Sequence, residues 1–304
     1  MKGLELSEKY YEKYGRSMIM ETAPHLADRA AVGLAGDGSQ CYGFDDEISR
    51  DHDFAPGFCI WLTDEDYALY GESLQEAYDC LPADFMGISR RPGDMPDRLG
   101  VRTISSFYSE FTGFPGGPDG NEDWLMCPEN SLAACTNGAV FYDPLGHFTE
   151  IRSKLLAFYP EDVLRKKLAA RAAVMAQAGQ YNLPRCLQRG DKVAASLAIA
   201  RFTEAALSMI HLLNRRYVPF YKWAFRSACS LEKLRKVTDL LLQLQSDSDP
   251  ETVEKICTLV AAELRAQGFS DSESTFLQDH LTDIMSGIRD PEIAVLPPMA
   301  DFNF

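Results

Sequence analysis

From residue 151 onward, apolar residues recur at three- and four-residue spacing through 151–158, 160–179, 190–213, 217–228, 231–245, 250–267 and 271–288. So many successive amphipathic segments can bury their stripes only against one another, which predicts an all-helical domain. Gly190-Asp191 and Asp249-Pro250 read as helix starts and Gly268 as a helix end. The residues from Ala294 read as a tail. Before 151 the pattern is different. Residues 5–30 read as a helix that Pro24 breaks. AVGLAG (31–36), GFCIWL (57–62), VRTISSFY (101–108) and GAVFYD (138–143) read as strands. Thr63 is placed to cap a helix running to about Cys80, with Asp64, Glu65 and Asp66 in its first turn. Residues 129–136 suit a short helix, and 87–100 and 113–121 are loop-like. The fold class expected is α+β: a mixed-sheet domain over 1–150, then an all-helical domain over 151–304.

Charge narrows the function classes. The net charge is −15, which argues against general nucleic-acid binding. The charge is unevenly spread. Residues 1–150 carry 10 Lys and Arg against 27 Asp and Glu, residues 151–240 carry 17 against 6, and residues 241–304 carry 3 against 12. An acidic first half beside a basic middle segment suits metal-binding carboxylates facing cations that receive phosphate. A basic helical face paired with the acidic half is the equal alternative. No apolar run approaches the ~20 residues of a membrane span, and the N-terminus lacks the apolar core of a secretory signal. A cytoplasmic protein with no membrane partner is expected. The eight cysteines are scattered without a Cys-x-x-Cys pair, so buried thiols are expected rather than a zinc site or disulfides.

The chemistry concentrates in GLAGDGSQCYGFDDEISRDHDFAPGFCIWL, residues 33–62. Asp51 and Asp53 are separated by one residue. On an extended segment both carboxylates face the same way. Two carboxylates so close are tolerated in water or around a cation, and Mg²⁺ prefers such oxygen ligands together with substrate phosphates. Gly33, Gly36 and Gly38 let backbone approach a ligand closely. N–H groups in that turn and the Ser39 hydroxyl suit phosphate oxygens. The Walker pattern is absent, and a dinucleotide fingerprint would need glycine where Cys41 stands.

An apolar strand, Gly38-Ser39, about ten residues and then Asp51-x-Asp53 resembles the signature of the polymerase-beta-like nucleotidyltransferase superfamily. The layout is similar to its small bacterial members, in which a helical domain follows the nucleotidyltransferase domain, as in aminoglycoside nucleotidyltransferases. The GSQCYGFDDEISRDHDF version is most similar to a bacterial branch carrying a domain of unknown function. The resemblance implies one or two Mg²⁺ ions on Asp51 and Asp53, and a nucleoside triphosphate, ATP by preference, held by Gly38 and Ser39. An acceptor hydroxyl would attack the α-phosphorus and pyrophosphate would leave.

Two departures from that pattern follow. His52 stands where an apolar residue is usual; it would point away from the metal face and pack or hydrogen-bond. Active relatives also carry a third carboxylate on a later strand, and VRTISSFY has none. Glu110, just beyond it, is the first choice, with Glu129 and Asp143 as further options. In the helical domain Arg189, Lys192 and Lys222 are candidate phosphate contacts, whereas Tyr217, Phe220, Tyr221 and Trp223 read as core under snorkelling cations. His25, His147, His211 and His280 are isolated, and no hydrolase arrangement is visible. Three functions compete. One is nucleotidyl transfer to a hydroxyl of a small molecule or protein. Another is nucleotide binding by a regulatory or interaction protein with a degenerate site. RNA nucleotidyl transfer is the third, disfavoured by the acidic total.

Overall fold

The computed structural model describes residues 1–300 except 52–53 and 91–97, and only the backbone of Arg50 and Asp51. The chain is α+β: a mixed four-stranded sheet with helices, followed by a largely helical region. It divides into two compact units, one of residues 1–118 with 131–157, the other of residues 119–130 with 158–304.

The first unit is built on strands β1 (Ala31–Leu34) and β2 (Cys59–Leu62), with β3 (Asp84–Phe85) and β4 (Ile88–Ser89) forming a separate small ladder. Strands β5 (Gly100–Thr103) and β6 (Ala139–Tyr142) complete the main sheet in the order β5-β2-β1-β6. β1 runs antiparallel to both β2 and β6, and β2 parallel to β5. The parallel pair needs a crossover, which the helix Asp64–Asp79 supplies. Thr63 starts that helix as expected, its Oγ1 accepting from the Asp66 amide at 3.1 Å. Every residue of the central strands is buried, as in strands covered on both faces. Alternation sorts their side chains. Val32, Ile60 and Leu62 join Tyr10, Tyr11, Phe58 and Tyr78 in one core. Trp61 faces the other way, stacked on Phe148 at 3.9 Å and edge-on to Phe107 at 5.4 Å.

Several elements differ from expectation. VRTISSFY is a strand only to Thr103; a helix spans Ile104–Thr112. Thr103 Oγ1 accepts from the Ser106 amide at 2.9 Å and so starts the helix. Ile104, Phe107 and Tyr108 are its buried face, and this three-four spacing outweighs β-propensity. The N-terminal helix runs Gly3–Thr22 through a π-turn at Tyr11–Gly15, and Pro24 breaks it as expected. β2 begins at Cys59; Asp51 closes a 3₁₀ turn, Ile48–Asp51, rather than standing on an extended segment.

The second unit is made of helices, the longest Lys192–Leu213 and Pro250–Ala266. Asp191 and Asp249 cap them as anticipated, and Gly268 takes the left-handed conformation at φ 73°. The helix Lys192–Leu213 is long and apolar enough to cross a membrane despite its interrupting polar residues, with 56% of its apolar window buried inside the protein. The expected helix over 271–288 is shorter: a 3₁₀ turn at Leu277–His280 leads into Leu281–Ser286. Before it, the Asp283 carboxylate accepts from the Asp271 and Ser272 amides, and such local bonds compete with helix. None of the eight cysteines forms a disulfide, and Cys41, Cys59, Cys127, Cys135 and Cys257 are buried.

Gly138 ties β6 to β1. Its φ is 66°, its amide donates to the Cys41 carbonyl at 2.8 Å, and a Cβ there would lie 1.9 Å from the Leu34 carbonyl oxygen. Only backbone movement could relieve that overlap. Gly138→Ala is expected to cost more than about 2 kcal/mol, the combined scale of a left-handed non-glycine residue and a backbone clash, measured by urea unfolding of the full chain. A loss below about 0.5 kcal/mol would show that β6 shifts freely.

Candidate functional site

The glycine-serine turn leaves the end of β1. Gly36 and Gly38 take φ of 118° and 111°, values that side chains make costly. Asn137 holds Gly36 at both polar groups: the Gly36 amide donates to Asn137 Oδ1 at 3.0 Å, and Asn137 Nδ2 donates to the Gly36 carbonyl at 2.7 Å. Ser39 is buried, and its carbonyl accepts from the Phe44 amide at 2.9 Å. Past it, the buried Asp45 carboxylate accepts from the Gly3 amide at 3.1 Å at the start of the N-terminal helix. The turn is thus tied down at both ends.

A cation stands beside it. A Cβ built on Gly38 would lie 3.3 Å from an Arg98 guanidinium nitrogen. Sequence reasoning missed Arg98 and Asn137. Arg98 lies in a loop far along the chain, and nothing in its neighbours marks it. Asn137 precedes Gly138 in a turn, where asparagine is ordinary.

Of the expected carboxylate pair, Asp53 and the side chain of Asp51 lie outside the described residues, as does His52. Among the described residues, no group of three or more His, Cys, Asp or Glu side chains is arranged to hold a metal.

The three candidate third acids are each engaged. Glu110 sits on the helix Ile104–Thr112, exposed, in an ion pair with Arg102 of β5. Asp143 accepts from the Gly146 and Thr149 amides at 3.1 and 2.8 Å, closing the turn into the helix His147–Leu156. Glu129 belongs to the helical unit. Its Oε2 accepts from Ser208 Oγ at 2.7 Å and lies 3.4 Å from Arg171 Nη2, while Arg171 Nε donates to Ser208 at 2.8 Å. Burial works to raise the Glu129 pKa, but Arg171, then Lys167, the Ser208 hydroxyl and His211 outweigh it and hold the carboxyl below its ordinary value.

The helical-unit cations are spread over three elements. Arg189 ends the helix Leu183–Gln188, Lys192 begins Lys192–Leu213, and Lys222 lies over the Trp223 ring at 5.1 Å on Tyr221–Ala228. All three are exposed. Of the neighbouring aromatics, Tyr217 is core, packed 4.9 Å from Phe158 and 5.1 Å from Tyr159. Phe220 and Tyr221 are exposed instead, because they sit where the helix Tyr221–Ala228 begins and turn outward from it.

Lys167 shares the interior with Glu129 and Arg171. Burial, reinforced by Arg171, pushes its pKa down to about 7 against the partial opposition of Glu129 and Cys127. Below about pH 7 both folded and unfolded chains hold this proton, and the burial cost is complete. Above it the unfolded chain binds the proton more tightly, so stability rises with pH. Unfolding free energy is expected to increase between about pH 7 and 8 at up to ~1.4 kcal/mol per pH unit for the one proton. His211, its pKa lowered by burial, acts below that window. Buried thiols such as Cys127, raised to about 12 by burial, act in the opposite sense above it, where unfolded cysteines ionise. Lys166, its pKa pushed down to about 8 by burial, adds a smaller rise towards pH 8, so in urea titrations at the two pH values Lys167→Met should remove most of the slope. An equal slope in the variant would assign it elsewhere.

The sequence comparisons fall on residues of both units. A domain of unknown function, DUF4037, matches residues 124–224. No curated protein matches the chain. The matched segment contains Glu129, Lys167, Arg171 and Ser208, the buried polar cluster, and Arg189, Lys192 and Lys222.

Proposed function

We propose that this chain is a Mg²⁺-dependent nucleotidyltransferase of the polymerase-beta type. It would move a nucleoside monophosphate from a triphosphate, ATP by preference, to a hydroxyl of a small molecule or protein. The observation that carries the reading is the turn at residues 36–39. Two glycines at positive φ, both polar groups of Gly36 held by Asn137, and the Arg98 guanidinium beside Gly38 make a rigid, cation-flanked backbone loop. Such a loop suits the triphosphate tail, because it needs no rearrangement to meet negative charge.

Asp51 and Asp53 supply the hard oxygen donors that would hold Mg²⁺. When bound, the ion supplies neutralisation of the triphosphate charge. The chain's own residues position the reactants: Gly38 and Ser39 hold phosphate oxygens, and Arg98 takes up charge beside them.

A second reading, nucleotide binding without efficient turnover, is favoured by one specific observation. Glu110, Glu129 and Asp143 already have partners, so none stands ready as the third acid. One measurement separates the two. The full chain is incubated with labelled nucleoside triphosphates, Mg²⁺ and a metabolite pool, and pyrophosphate is followed beside equilibrium binding. Release of pyrophosphate is expected. Tight triphosphate binding without release under any acceptor selects the second reading, and absence of binding overturns both.

A further inference from the structure

The helical unit contains a cavity of about 750 Å³, within the usual range of small-molecule sites. Its lining divides into two zones. Glu129, Arg171 and Ser208 line it from the interior, each at most 5% exposed. Leu207, Val218 and Phe225 line it with apolar surface, and the exposed Phe220 and Tyr221 stand at its outer part. An apolar wall with a few convergent polar groups at depth is the usual form of a ligand site.

Glu129 supplies the independent sign that something binds there. It is 5% exposed, and while Oε2 is held by Ser208 and Arg171, Oε1 is buried with no hydrogen-bond partner among the described residues. A buried carboxylate oxygen left unpaired is costly, and natural structures rarely keep one without a reason. The missing partner must donate. A full cation fits poorly, because Arg171 at 3.4 Å and Lys167 in the same interior already answer the carboxylate charge. A neutral donor adds no third positive charge.

We infer that this cavity binds a neutral small molecule with an apolar ring system and a hydroxyl or N–H group, the ring against Leu207, Val218 and Phe225 and the donor delivered to Glu129. The site lies wholly within the helical unit and does not depend on the nucleotidyltransferase reading.

The test uses the full chain, equilibrium dialysis and a matched pair of probes. 2-Naphthol has a ring and a hydroxyl donor; 2-methoxynaphthalene keeps the ring and lacks the donor. 2-Naphthol is expected to bind saturably and roughly 10- to 100-fold more tightly than the ether, the scale of one hydrogen bond to a buried charged acceptor. Ala200 lines the cavity and is exposed on the helix Lys192–Leu213. Ala200→Trp should therefore fill the space without disturbing the core, abolishing naphthol binding while leaving the urea midpoint unchanged. Equal affinity for the two probes, no saturable binding of 2-naphthol up to its solubility, or full binding by a folded Ala200→Trp variant would each overturn the inference.

Discussion

Replacing Glu129 by leucine is expected to destabilise the protein by about 3–5 kcal/mol, the scale found when one partner of a buried ion pair is removed. Glu129 and Arg171 are almost fully buried, and Ser208 bridges them. With the carboxylate gone, Arg171 keeps a charge in the interior, and Lys167 beside it adds a second. The double variant Glu129→Leu with Arg171→Met should recover most of the loss, since it removes the guanidinium and leaves only Lys167, which with a pKa of about 7 can shed its proton. A double-mutant cycle by urea unfolding measures the coupling. A single-variant cost below about 1 kcal/mol would mean that Arg171 is resolvated through the cavity it lines, and the ion pair's part in stability would have to be abandoned.

Asp53→Asn should lower pyrophosphate release by on the order of 10²–10³-fold, the scale of removing one preorganised charge-stabilising group from an active site. Asparagine keeps the shape and one oxygen but loses the charge that a divalent ion requires. Arg98→Ala gives a contrasting pattern. It leaves the carboxylates in place and removes a cation beside Gly38, so triphosphate affinity should weaken more than turnover. Turnover by Asp53→Asn at the wild-type rate would remove the metal reading. Loss of turnover without loss of nucleotide binding would place the aspartate in chemistry rather than in fold.

Much of the architecture was legible in the chain. β1, β2 and β6 and the helix Asp64–Asp79 lie where alternation, periodicity and the Thr63 cap put them. Two of the misread elements share one cause. At Thr103 and at Ser270–Asp283, hydroxyls and carboxylates bond backbone amides locally and move an element boundary that hydrophobic pattern alone cannot locate. The hairpin at Asp84–Ser89 was read in part as loop because its strands are two residues long, with Met86 and Gly87 at positive φ between them.

For the candidate site the division is sharper. The sequence by itself determined the chemistry on offer: Gly38, Ser39, Asp51 and Asp53 within one short stretch, and a run of helices in the second half of the chain. That information is local, carried by residue type and spacing. The tertiary structure alone decided the company these residues and others keep. It brought Arg98 to Gly38 and Asn137 to Gly36, it committed Glu110 to Arg102, and it buried Glu129 with Arg171 and Ser208 while turning Phe220 and Tyr221 outward. The physical reason is that a charge's role depends on its distance from opposite charge and from water. Packing sets those distances across tens of residues of sequence, and neither spacing nor composition records them.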